Sequence, residues 1–99
     1  MTIEYKQAYN DTLIAGSNTL YTAPAGTLAQ IRAATAHNPT VLPIVLAVSV
    51  GGNQFVEKTL ASDATLILSE LLNHQVNAAQ TITATGENLN VILSVAEVV

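Results

Sequence analysis

Apolar and polar residues alternate with a period of two through most of this chain. The runs are short and closed by turn-forming residues, a pattern that predicts strands rather than helices. Ile3-Glu4-Tyr5-Lys6-Gln7-Ala8-Tyr9 sets Ile3, Tyr5 and Gln7 on one side and ends at Asn10-Asp11. Leu13-Ile14-Ala15 is a brief apolar stretch stopped by Gly16-Ser17-Asn18. Thr19-Leu20-Tyr21-Thr22 closes at Ala23-Pro24-Ala25-Gly26, where Pro24 pre-sets a turn. Thr27 to Ala36 is the next strand and ends at His37-Asn38-Pro39-Thr40.

Val41 to Val50 is the most β-branched run. Its second half is apolar on both faces, as in a strand covered from both sides. Pro43 cannot donate to a ladder, so an edge or a bulge is expected around it. Gly51-Gly52-Asn53 marks a tight hairpin into Gln54–Leu60. Residues 62–80 fit two patterns. Ile67, Leu68, Leu71 and Leu72 would share one face of a helix capped by Ser62 or Asp63, whereas Thr65–Leu71 alternates partly as a strand. Strand is preferred because the flanking segments are strand-like. Thr81–Thr85 turns at Gly86-Glu87-Asn88, and Asn90–Val99 closes the chain as a long β-branched strand. About eight short antiparallel strands at this spacing predict a single all-β domain over residues 1–99, a β-sandwich or small jelly roll. Residues 1–10 are either a docking arm or an ordinary edge strand.

Composition changes the picture in one respect. Of the 99 residues, 49% are hydrophobic and only 10% are charged, against about 25% charged in an ordinary soluble domain. Thr, Asn, Ser and Gln must therefore supply the polar surface. Few charges then need desolvating when two such surfaces meet, which suits life inside an assembly. The net charge of −4 leaves Lys6, Arg32 and Lys58 as the basic side chains. Three scattered cations cannot neutralise a phosphate backbone, so neither nucleic acid nor an anionic membrane is an expected partner. The chain has no cysteine, which excludes disulfides and thiolate metal sites. The start Met1-Thr2-Ile3 lacks a signal-peptide pattern, and no apolar run reaches the ~20 residues of a membrane span. A soluble protein made in the cytoplasm is expected.

Candidate chemistry is sparse. Glu70 and His74 are four apart, a ligand spacing on a helix, but a zinc site needs a third partner. Beside a turn they read as solvated groups. His37 reads as a turn residue bonded locally. Asp11, Asp63, Glu4, Glu57, Glu87 and Glu97 are spread over turns and solvent faces, and no serine sits in a nucleophile elbow. No catalytic, cofactor-binding or metal-binding residues are assigned, and no enzyme activity or cofactor is expected. Tyr21 reads as core. Tyr5 and Tyr9 read equally as core or interface.

At Leu20-Tyr21-Thr22-Ala23-Pro24-Ala25-Gly26-Thr27 the chain resembles small virion proteins of tailed bacteriophages. Ile31 and His37-Asn38 follow at suitable distances. Leu72-Asn73-His74-Gln75-Val76, Gln80-Thr81-Ile82-Thr83-Ala84 and the closing Asn90–Val98 continue the resemblance, which spans residues 20–98. One departure is Ala79-Gln80, where a Gly and an acidic residue are usual, and it bears on the geometry of that turn. The resemblance implies a β-sandwich virion component, foremost a capsid decoration (cement) protein. Such a protein would be a homo-oligomer, a trimer at local three-fold positions, bound to the major capsid protein or other virion proteins. Neck, tail or fibre-base placement is the alternative, and from another class a ligand- or carbohydrate-binding β-sandwich. Ile3, Tyr5, Tyr9, Val98 and Val99 are the expected interface residues, with the terminal strand available for addition to a neighbour.

Overall fold

The computed structural model describes residues 2–98, which contain nine strands. These are β1 (Ile3–Thr12), β2 (Asn18–Thr22), β3 (Leu28–His37), β4 (Ile44–Val50), β5 (Asn53–Leu60), β6 (Thr65–Ile67), β7 (Gln75–Val76), β8 (Thr81–Thr85) and β9 (Asn90–Val98). A 3-10 turn, Ser69–Leu71, separates β6 from β7. The first sheet runs β1-β9-β3-β6, with β7 also paired to β3, and the second runs β2-β8-β4-β5. All the pairings are antiparallel. The chain passes back and forth between the sheets, so that β1 leads to β2, β3 to β4 and β8 to β9. That winding is a jelly roll, and of the two sandwich types expected from the sequence it is the one formed.

Inward positions of the two sheets meet in a single core. The first sheet contributes Ile31, Val91, Leu93 and Val95; the second contributes Leu46, Val48, Val56 and Ile82. Burying each such side chain contributes about 1.5–3 kcal/mol. Leu13 and Leu89 close one end from loops, each 1% exposed or less. Their backbones bond directly, with the Leu13 N–H donating to the Leu89 carbonyl at 2.8 Å. At the β4–β5 hairpin, Gly51 and Gly52 take φ of +60° and +87°. Two consecutive left-handed residues match the right-handed twist of the flanking strands, and glycine takes that backbone without a Cβ penalty.

Three expectations change. Residues 62–80 are neither a helix nor a continuous strand. Only Thr65–Ile67 pairs before the 3-10 turn, and β7 resumes afterwards, so β6 and β7 together fill one strand position. The turn brings Leu68 and Leu71, three apart, to the same buried side, and this single turn is what gave the segment its helical look. β4 begins at Ile44, after Pro43, and its outer side is not covered: Val45 is 51% exposed. Glu97 is not on a solvent face, since it is only 4% exposed.

Buried asparagines hold the crossings in place. Asn38, fully buried, donates through Nδ2 to the carbonyls of Leu42 (2.8 Å) and Leu60 (3.0 Å). Its Oδ1 accepts from the Thr40 N–H at 2.9 Å. Asn18 plays the same part at the start of β2, donating to the Ile14, Gly16 and Ala84 carbonyls. Among the described residues no buried side-chain polar atom lacks a partner.

Candidate functional site

Strand register decides which side chains share the outer face of the first sheet. Ile3 lies opposite Val98 and Tyr5 opposite Ala96 on β9, and Leu28 and Gln30 on β3 continue those two rows. Further along, Ile92 lies between Asn10 and Thr35, and Thr35 pairs with Ile67 of β6. The face therefore carries Ile3 (54% exposed), Tyr5 (70%), Leu28 (41%), Ile67 (65%) and Ile92 (43%). Charge on it is sparse. The Arg32 guanidinium stands over the Tyr5 ring, 5.8 Å from its centroid, while Glu4 and Glu97 occupy positions of the opposite parity.

Between the Ile3–Val98–Leu28 row and Asn73 lies a shallow groove of about 300 Å³. Its floor is Ala29 and Ala96, and its rim carries Tyr5, Arg32, Gln30 and Gln75. Small residues in the middle of the strands make the depression, because a larger side chain at Ala96 would fill it. The Gln30 amide donates to the Asn73 carbonyl at 3.3 Å, which ties β3 to the loop before β7.

Of the expected interface residues, Ile3, Tyr5 and Val98 meet on this face. Tyr9 does not join them. A bulge at Ala8 separates Gln7, opposite Ser94, from Tyr9, opposite Leu93, and so turns Tyr9 to the inner side, where it packs against the core. The extra residue reverses the alternation, a change that strict period-two reading cannot follow. Val99 lies outside the described residues. Apart from the bulged Ala8, Ile3–Thr12 is paired to β9 as the edge strand of the sheet.

The other side of β1 and β9 holds a polar cluster that the sequence reading missed. The Tyr21 hydroxyl, from β2, donates to Glu97 Oε2, and Lys6 Nζ lies 3.0 Å from the same oxygen. Lys6 also stands over the Tyr21 ring, 5.6 Å from its centroid. The Tyr21 hydrogen bond, with Lys6 adding to it, holds the Glu97 carboxyl below its ordinary value. Burial and the same carboxylate push the Tyr21 hydroxyl well up. This contact links the second sheet to the first, and leaving the buried carboxylate short of the Tyr21 donor costs about 1–3 kcal/mol. The available signal was Glu97 amid Val95-Ala96 and Val98, a lone charge in an apolar run.

The remaining ionisable groups act locally. His37 Nδ1 lies 2.8 Å from Thr65 Oγ1 across the β3–β6 pair, and its Nε2 lies 3.3 Å from Asp63. Lys58 pairs with Glu70 and lowers the Glu70 carboxyl. His74 stacks on Phe55 at 5.4 Å rather than joining Glu70. Among the described residues no three His, Asp or Glu side chains gather in a way that could hold a metal ion. No helix among them is long and apolar enough to cross a membrane.

No family profile and no curated protein sequence matches this chain. Solved structures do. A chain of the disulfide-linked pili that form Bacillus endospore appendages superposes with a TM-score of 0.56 at 12% identity, over 97% of this chain and 87% of that one. A chain of the T13 infectious bursal disease virus particle gives 0.47 at 11% identity, over 97% of this chain but 30% of its own length. A family 35 carbohydrate-binding module from Clostridium thermocellum gives 0.44 at 17%, over 94% and 90%. At such identities the first match speaks to fold alone, and the two below 0.5 carry no argument. The chain is a small all-β sandwich with two antiparallel sheets.

Proposed function

We propose that this chain is a structural, non-catalytic subunit of a tailed-phage virion, a capsid decoration protein that stabilises the head by protein–protein packing. The observation that carries the reading is the outer face of the first sheet. Five large apolar side chains stand exposed there with almost no charge among them, and such a face is stable in water only at a cost that covering it would remove. Many copies, each burying this face against the shell, would shift the equilibrium toward the assembled particle. Jelly rolls recur in capsid and lectin domains, and the phage resemblance of residues 20–98 supports the first of those settings.

Immunogold labelling of particles purified from the culture that makes the chain tests the proposal. Label over the head shell is the expected result. Label confined to neck, tail or fibre base supports the runner-up placement, and unlabelled particles remove the virion reading. The groove at Tyr5 and Arg32 favours a second reading, binding of a small polar ligand such as a sugar, which needs no particle. A saturable change in tyrosine fluorescence with free monosaccharides, lost in Tyr5→Ala, would favour it.

A further inference from the structure

β1 differs from the other sheet edges. Across the first sheet the opposite edge is broken into β6 and β7, three and two residues long, with a 3-10 turn between them. In the second sheet, β2 is short and bulged between Thr19 and Tyr21, and β5 carries a register shift opposite Val48 and Ser49. Short, interrupted and bulged edges resist pairing with another chain. β1 is ten residues long and is paired only to β9 among the described strands. Residues 3–7 of β1 run regularly before its own bulge, with no proline in them.

We propose that residues 3–7 of β1 pair antiparallel with the same residues of a second copy of this chain, about a two-fold axis through Tyr5. The charges select that register. An axis at Tyr5 puts Glu4 opposite the second copy's Lys6, and Lys6 opposite its Glu4. Moving the axis one residue either way sets Glu4 against Glu4, or Lys6 against Lys6. Slips that fall between residues would pair inward-facing with outward-facing side chains and break the continuity of the sheet. Opposite charges directly across an antiparallel pair stabilise it, and like charges oppose it. Both groups are accessible: Glu4 is exposed and the Lys6 side chain is 47% exposed while it touches Glu97.

The same register sets Tyr5 against Tyr5 and Ile3 against Gln7 on the outer face. The apolar face described above then runs unbroken across two molecules, and each tyrosine keeps the Arg32 of its own chain above it. An isologous contact of this kind is self-complementary and closed, so it makes a dimer and not a fibre. The inference stands on β1 alone and is independent of whether the particle is a phage.

The chain has no cysteine, so one introduced thiol reports one contact. Side chains directly opposite across an antiparallel pair have Cβ atoms roughly 4.5–5.5 Å apart, within small adjustment of a disulfide. Tyr5→Cys should oxidise to a covalent dimer at least about tenfold faster than Thr19→Cys, an exposed control on the other sheet's edge. Adding Glu4→Lys should slow that cross-link about tenfold, because two cross-strand pairs turn repulsive. A nearby lysine by itself raises thiolate content and would speed oxidation, so slowing reports lost pairing. Without the cysteine, light scattering at rising concentration should approach two chains of 10.3 kDa each. Equal cross-linking at positions 5 and 19 would overturn the proposal, and so would indifference to Glu4→Lys. A three-chain mass with no cross-link at position 5 would also overturn it, in favour of the three-fold association expected from the sequence resemblance.

Discussion

On the outer face of the second sheet, Thr59, Thr81, Thr83, Thr85, Glu57 and Gln54 surround Ala47 and Ser49, with Val45 as the large apolar side chain among them, while Phe55, exposed at the β5 register shift, stacks on His74. On the outer face of the first sheet stand Ile3, Tyr5, Leu28, Ile67 and Ile92. Both faces have strand backbones, both back onto the same core, and both consist largely of residues with high β-propensity. Threonine satisfies the strand preference and water together, since its hydroxyl hydrogen-bonds to solvent while its methyl covers the sheet. Isoleucine and tyrosine satisfy the strand but leave apolar area in water. The fold by itself needs only the first solution, and the second leaves the apolar area that the proposed packing would cover.

Substitutions along β9 would break this comparison most directly. Leu93 and Ile92 are neighbours that face opposite ways, 1% and 43% exposed. Leu93→Ala should cost about 2–5 kcal/mol in urea unfolding, by transfer and cavity terms, whereas Ile92→Ala should stay within about 1 kcal/mol. Equal costs would mean that the outer face is already covered within the free chain.

Particle binding would sharpen the comparison next. Ile67→Lys on the first sheet and Thr83→Lys on the second should each change stability by about 0.5 kcal/mol or less. In co-sedimentation with particles stripped of this protein, Ile67→Lys should weaken binding by about tenfold to a hundredfold, as when a charge enters a desolvated contact. Thr83→Lys should bind as the unaltered chain does. Loss of binding in both variants would remove the distinction between the faces.

The contact between Tyr21 and Glu97 joins the sheets on the inner side, and its effect should be smaller and pH-dependent. Tyr21→Phe should cost about 1–3 kcal/mol at neutral pH, because the buried carboxylate loses its best donor. Glu97 has a carboxyl lowered from 4.5 in the folded chain. Its contribution is therefore complete above the ordinary carboxylate range and fades as pH falls through the lowered value. Tyr21 is raised above 10.0, so its contribution is complete below pH 10 and is lost as pH rises further. Unfolding free energies measured across pH should show both declines in the unaltered chain. In Tyr21→Phe the alkaline decline should be shallower; an unchanged alkaline limb would remove the hydroxyl from the account.

The smallest effect concerns a turn that neither face uses. Ala79 sits at φ +67°, where a Cβ costs roughly 1–2 kcal/mol. Ala79→Gly should relieve part of that, raising stability by about 0.5–1 kcal/mol after the added freedom of the unfolded chain is counted. A loss of stability on thermal melting would show that the turn depends on the alanine methyl.

Much of the fold was legible in the residues. Alternation placed β3, β5, β8 and β9 close to their observed ends, because a half-buried strand forces period two on its side chains, whereas β1 runs on through the expected turn at Asn10-Asp11 to Thr12. Gly51-Gly52 announced its hairpin because left-handed backbone is cheap for glycine. The departure at Ala79-Gln80 pointed to a turn that proves to hold a left-handed alanine. Local chemistry determined these features, and a sequence states local chemistry directly. Which face each alternating residue would join depended on the bulges at Ala8 and near Leu20, where one extra residue reverses the parity. The segment at 62–80 was broken because Leu68 and Leu71 had to reach a core built by distant strands. Glu97, Tyr21 and Lys6 lie far apart along the chain and meet only when β9, β2 and β1 are brought together. Strand identity was written into the sequence by itself. The contrast between the two outer faces, and the free edge beside one of them, came from long-range pairing that only the tertiary structure decides.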